Sequence, residues 1–303
     1  MWNKPWTLKE GFALGSALSV GGAVVQSLVG SVRWQSIAWP VNLILLLSYI
    51  ALLILTFALR RKVYFIRWGM SRQAAVSALV LVVVLTLILG FTNRLSFLSH
   101  WAFVLVYVWM TTIVGWVSLK RLIHFRSWKR DIPFLLNHLG LFIALVTASL
   151  GNADMQRMHM TIYKGQMEWR AVDENRQFHE LPFAVRLRQF ILEEYPPQPV
   201  GADEKTGQMR YERTPKRYAS EVTLYTSDGK HLDGTIEVNQ PLAAEGWKIY
   251  QVGYDEENGK DSTFSTLELV YDPWLPFVYL GIYMLIAGAV GMFLGLGGSR
   301  KRK

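Results

Sequence analysis

The chain alternates between long apolar runs and short basic stretches, then changes character after residue 151. Five runs before that point lie near Gly11–Gly30, Ile37–Leu59, Ala74–Thr92, Phe97–Ser118 and Ile132–Leu150, and a sixth lies near Trp274–Gly298. Each is long enough to cross a bilayer, which takes roughly 20 residues as a helix. The third run, AAVSALVLVVVLTLILGFT, carries no charge and many β-branched residues. An isolated strand cannot satisfy its backbone in lipid, so this run is read as a helix. The first run follows Lys4 and Lys9. It is long and has no clear small-x-small cleavage site, so it is expected to stay attached rather than act as a removable signal.

Residues 152–272 break the pattern. ASEVTLYTS, GTIEVN, WKIYQVGYD and STLELVYD alternate or cluster β-branched and aromatic residues between turn signals such as Ser227-Asp228-Gly229 and Asn258-Gly259, as strands do. FAVRLRQFILEEY reads as another strand, and residues 196–216 read as a long polar loop. A small antiparallel β-domain is expected. The fold class is thus a polytopic α-helical membrane protein of about six spans with a mainly-β domain between the fifth and sixth. Its parts are a membrane domain over 1–151, the β-rich domain over 152–272, and a last helix with a basic tail over 273–303.

Charge orients this arrangement. The β-rich segment holds 14 Lys+Arg and 21 Asp+Glu, a net of −7, whereas the rest of the chain is strongly basic. Sixteen of those basic residues fall at Lys4 and Lys9, between spans two and three, between spans four and five, and in the terminal RKRK. The alternate short loops hold only Arg33 and Arg94. By the positive-inside rule both termini are cytoplasmic and residues 152–272 extracytoplasmic. The net charge of +9 is therefore a topology signal. Scattered over short loops, it makes no nucleic-acid surface.

Candidate chemistry is sparse. With no cysteine, the chain has no disulfide, no thiol redox chemistry and no CxxCH haem attachment site of its own. Phosphate-loop, dinucleotide, HExxH and GxSxG motifs are all missing. Glu193-Glu194 and Asp255-Glu256-Glu257 read as solvated surface, and His159, His179 and His231 as ordinary strand or surface residues. Met158 and Met160, flanking His159, read as one face of a strand. His124 sits in a basic loop. Two histidines differ. His138 lies seven residues into the fifth span, roughly 10 Å deep at 1.5 Å per residue, where an unpaired imidazole is costly and a functional role is the default hypothesis. It is either an axial haem ligand or a packing residue bonded to Asn137 or a serine. His100 opens the fourth span beside Trp101 and reads as an interfacial residue or a second haem-ligand candidate.

Several strings resemble the ResB (CcsB) family of system II cytochrome c biogenesis. They are the VNQPL turn at Val238–Leu242, the strand GWKIYQVGY at Gly246–Tyr254, Asp272-Pro273 before the last helix, and HLGL at His138–Leu141. The resemblance covers roughly residues 131–298. It implies haem as a transient cofactor, a ResC/CcsA-type membrane partner and apocytochrome c as acceptor, and it carries a transmembrane haem-ligand role onto His138. The partner's WGxxWxWD motif is missing here despite twelve tryptophans, so the chain is not that partner. The resemblance implies a subunit of a holocytochrome c synthase with no catalytic motif of its own. The other readings are a membrane-anchored docking scaffold that binds no haem and, ranked last, a solute transporter, for which internal repeats or broken helices are missing.

Overall fold

The computed structural model describes residues 2–92, 98–202 and 209–294. It divides into a helical unit, running to Asp154 and resuming at Trp274, and a β unit over Met155–Pro273.

The helical unit contains α1 (Leu8–Val29), α2 (Val41–Ala58), the short α3 (Tyr64–Gly69), α4 (Arg72–Thr92), α5 (Trp101–Ile123), α6 (Trp128–Gly151) and α7 (Leu275–Phe293). Five stretches are long and apolar enough to cross a membrane: α1, α2 with the turn that follows it, α5, α6 and α7. The third expected span falls on α4 (Arg72–Thr92), which is not among these five. Boundaries also move. The expected fourth span began at Phe97, outside the described residues, whereas α5 starts at Trp101 and continues to Ile123. The last four residues of the sixth expected span also lie outside the described residues.

Local chemistry sets the helix ends. Thr7 and Glu10 form a capping box at α1: the Thr7 side chain accepts from the Lys9 amide, and Glu10 Oε2 accepts from the Thr7 amide at 2.7 Å. This satisfies amides that have no partner within the helix. Between helices, side-chain clips accompany apolar packing. Tyr49 Oη lies 3.0 Å from both Thr111 and Thr112 Oγ1, Trp116 Nε1 donates to Thr56 Oγ1, and Tyr107 Oη donates to Leu145 O. The α6–α7 pair is the closest. A Cβ on Gly281 would fall 2.5 Å from Ala144 N, and one on Gly288 2.3 Å from Asn137 N. Small residues thus let two backbones touch where lipid gives no hydrophobic drive to associate.

The β unit holds β1 (Gln156–Tyr163), β2 (Met167–Asp173), β3 (Phe178–Glu194), β4 (Gln198–Ala202), β5 (Met209–Glu212), β6 (Pro215–Thr226), β7 (His231–Glu237), β8 (Leu242–Ala244), β9 (Trp247–Tyr254) and β10 (Phe264–Tyr271). Eight strands form one antiparallel sheet ordered β7-β6-β3-β2-β1-β10-β9-β8, and β4-β5 form a separate ribbon. The polar loop expected over 196–216 is therefore corrected in part. Gln198–Ala202 and Met209–Glu212 pair as a hairpin, and β6 already begins at Pro215.

The sheet is rolled. Buried Ser220 of β6 bonds to Gln251 of β9 at 2.6 Å and lies 2.7 Å from Ser265 Oγ of β10, although β6 and β9 are far apart in the sheet order. The interior follows a two-residue period: Met158, Met160 and Ile162 of β1 and Leu267 and Leu269 of β10 all point inward, as alternation requires. Along β3 the buried set runs Leu181, Phe183, Val185, Leu187, then changes parity to Phe190 and Leu192, because a register shift falls between Leu187 and Gln189. A bulge of this kind re-aims every later side chain. The β8–β9 hairpin turns on Glu245 and Gly246, both at positive φ, the geometry of a two-residue primed turn.

Candidate functional site

His138 sits ten residues from the start of α6, about 15 Å along it. Its Nδ1 lies 3.1 Å from the carbonyl oxygen of Phe134, one turn earlier. A carbonyl can only accept, so Nδ1 carries the proton and the lone pair of the neutral ring is on Nε2. Among the described residues the one hydrogen bond of the ring is that of Nδ1, and Nε2 has none. Asn137, the packing partner considered from sequence, instead donates to Leu285 O of α7 at 3.2 Å.

Phe134 does more than supply the carbonyl. Its ring stacks on His138 with centroids 3.9 Å apart and planes 15° from parallel, and the Arg121 guanidinium lies 4.7 Å from its centroid. Arg121 ends α5 and is tied to Asp131 at the start of α6, 2.9 Å from Nη2 to Oδ1. Asp131 is fully buried and also accepts from the amides of Arg126 and Ser127 and from Arg130 Nε. One carboxylate therefore closes the α5–α6 turn. The ladder Asp131–Arg121–Phe134–His138 fixes the imidazole's surroundings.

His100 is built the other way round. It caps α5, with Nδ1 accepting from the Ala102 amide at 3.2 Å, so the neutral ring carries its proton on Nε2. The two histidines are not brought together. Tyr107 of α5 meets Leu145 of α6, which sets the antiparallel register, and His100 and His138 then lie about 20 Å apart along the helices. They cannot be the two axial ligands of one iron within this chain.

The remaining histidines are dispersed. His124 caps the end of α5, with Nδ1 2.8 Å from Lys120 O. His159 is exposed and faces Glu268 across the strands. His179 Nε2 is 3.1 Å from Asp173 Oδ2, and His231 pairs with Tyr225. No group of three metal-ligating side chains occurs among the described residues. Met158 and Met160 are buried on the inner face of β1. Glu193 pairs with Arg217, and Glu194 with Lys260 at 3.6 Å. Asp255 departs from the solvated-surface reading. It is buried and accepts from Asn258 Nδ2 and Thr263 Oγ1. The Asn258 side chain foremost holds its carboxyl below the usual carboxylate range. This carboxylate organises a loop, which the sequence cluster concealed.

An apolar cavity of about 290 Å³ opens between α2, α5 and α6, with Leu53, Gly115, Leu119, Leu139 and Phe142 in its wall. His138 is not part of that wall. The imidazole and the cavity are separate features of α6. Sequence reasoning missed Arg121, Phe134 and Asp131. An i−4 aromatic before His138 and a lone acidic residue in a basic turn were the available signals.

These features define a class: a bundle of apolar helices interrupted before its last member by one rolled β-domain, with a single free-edged imidazole in an apolar helix. Residues 128–264 match the model of the ResB-like family. No curated protein matches significantly. A solved structure described as "Cytochrome c Heme Lyase CcmF" is similar at 12% identity, over 95% of this chain and 46% of that chain, with a TM-score of 0.38. The chain spans about half the length of that protein, and a likeness at this score carries no weight for function.

Proposed function

We propose that this chain is a haem-handling subunit of a system II cytochrome c maturation complex. It works in the bacterial inner membrane, with both termini cytoplasmic, six spans and residues 152–272 extracytoplasmic. It acts beside a ResC/CcsA-type partner and presents haem to apocytochrome c. One observation carries the reading. His138 has its Nδ1 proton engaged by the Phe134 carbonyl, which leaves the Nε2 lone pair without a partner in an apolar helix. This is the tautomer and polarity of a haem-ligating histidine, whose second nitrogen donates to a fixed acceptor. The ResB-like match over residues 128–264 supports the same reading.

His138 would hold the haem iron from one side, and haem supplies the vinyl groups that become thioether bonds. The chain has no cysteine, so the thiols come from the acceptor. The contribution of this subunit is position, which in well-oriented reactions amounts to several kcal/mol. His100, with its Nδ1 lone pair occupied by a backbone amide, has a capping role.

The test is haem per mole of purified protein, read from the Soret band. His138→Ala should lose most of it while keeping its membrane level, and added imidazole should restore part. His100→Ala should keep its haem. Unchanged haem in His138→Ala would sink the ligand assignment and favour a docking scaffold that binds no haem.

A further inference from the structure

Outside residues 152–272 the chain has only two carboxylates, Glu10 and Asp131, and both are buried. Asp131 stands among Lys120, Arg121, Arg126, Lys129 and Arg130, so the α5–α6 turn keeps a large excess of positive charge. Within it Arg121 is unusual. Its Nη2 is ion-paired with Asp131 Oδ1 at 2.9 Å, and its Nε is buried without a partner among the described residues. A planar fork of donors with unused capacity is suited to a carboxylate, which takes two N–H bonds at once. The side chain is 29% exposed although its Nε is buried, so it is reachable from outside in part. It is also one aromatic ring away from His138, because Phe134 touches both.

The geometry points to Arg121, held in place by Asp131, as a carboxylate-recognising residue for the haem that His138 ligates. This rests on the haem reading above. Haem carries its iron at the centre of the macrocycle and its two acid side chains on one rim, so a single molecule can reach the imidazole and the cation together. The acid rim then faces the basic α5–α6 turn and the macrocycle faces the apolar length of α6. Arg121 sets which way round the haem is held, and Asp131 is a positioning residue acting through it.

The experiment compares ferric haem with its dimethyl ester, which keeps the iron and the apolar body but has no carboxylate. Both are titrated into the full-length, detergent-solubilised protein and followed at the Soret band. The wild type should bind the acid about tenfold or more tighter than the ester, the range of a hydrogen bond to a charged group. Arg121→Gln should remove that preference, and Arg121→Lys, which keeps the charge but not the fork, should keep part of it. Equal binding of acid and ester by the wild type, with a spectrum that still depends on His138, overturns the role of Arg121 and leaves the haem reading standing. A preference that survives in Arg121→Gln does the same. A spectrum indifferent to His138→Ala overturns the haem reading and this inference with it. If acid and ester bind alike while Arg121→Gln loses copurifying anionic phospholipid, the fork serves a lipid phosphate and the proposal falls. The wild-type comparison needs no variant, so it decides even where a substitution impairs folding.

Discussion

Asp154 gathers three donors from distant points of the chain: the Trp39 amide at 2.7 Å, Asn42 Nδ2 at 2.7 Å and Trp274 Nε1 at 2.6 Å. Burial opposes its ionisation, yet these bonds outweigh burial and hold its carboxyl below the usual range. A carboxylate depressed on folding stabilises the protein above its unfolded pKa of about 3.9, and that contribution is lost as pH falls through the lower folded value. Asp154→Asn should therefore lower the thermal midpoint at neutral pH. It should also flatten the fall in midpoint between about pH 5 and about pH 3 relative to wild type; superimposable curves would remove Asp154 from the stability of the helical unit. At this scale the sequence was legible where one residue type contradicted its surroundings. An imidazole in NHLGLFIALV declared itself. Asp154, Asp131 and Arg121 did not, because charges at helix ends are ordinary and their partners lie far away in sequence. The tautomer of His138 was also invisible, since it depends on a backbone carbonyl rather than a side chain.

Among the elements, α6 and α7 show the sharpest dependence on small residues. Gly288→Val would place atoms on the Asn137 backbone and pull Asn137 from Leu285 O, whereas nothing lies within 4 Å of a Cβ on Gly21. Overpacking of this kind costs about 1–3 kcal/mol. Gly288→Val should thus unfold measurably earlier in detergent titrations, with Gly21→Val close to wild type; equal behaviour of the two would refute the contact. The helices were legible from apolar run length, but their ends were not. Capping and 3₁₀ turns moved α5 and α2 by several residues, and run length alone reports neither. The strands β9 and β10 followed the two-residue period, β3 kept it on either side of its bulge, and β6 departs from it by burying Val222, Thr223 and Leu224 in a row. The β4–β5 ribbon did not show it, because its composition is that of a loop and its pairing comes from the partner strand.

For the whole molecule, the proposed orientation has a direct readout. A reporter that works only in the cytoplasm should be active when fused after Lys303, and one that works only after export should be active when inserted near Gly201. The opposite pattern would reverse the spans and place His138 in the other half of the membrane. The division into helical and β units was legible from the swing in charge after residue 151, but the rolling of the sheet was not, since polar contacts such as Ser220 with Gln251 join strands with no signal in common. A different property follows from where the β unit starts and stops. Gln156 of β1 stands opposite Tyr271 of β10, one strand spacing apart, roughly 5 Å, and in the helical unit Asp154 is bonded to Trp274. More than a hundred residues thus leave and return at a single point. To the α6–α7 pair the entire β unit is a loop of almost no span, a cassette that can grow, shrink or be exchanged over time without re-aiming either helix.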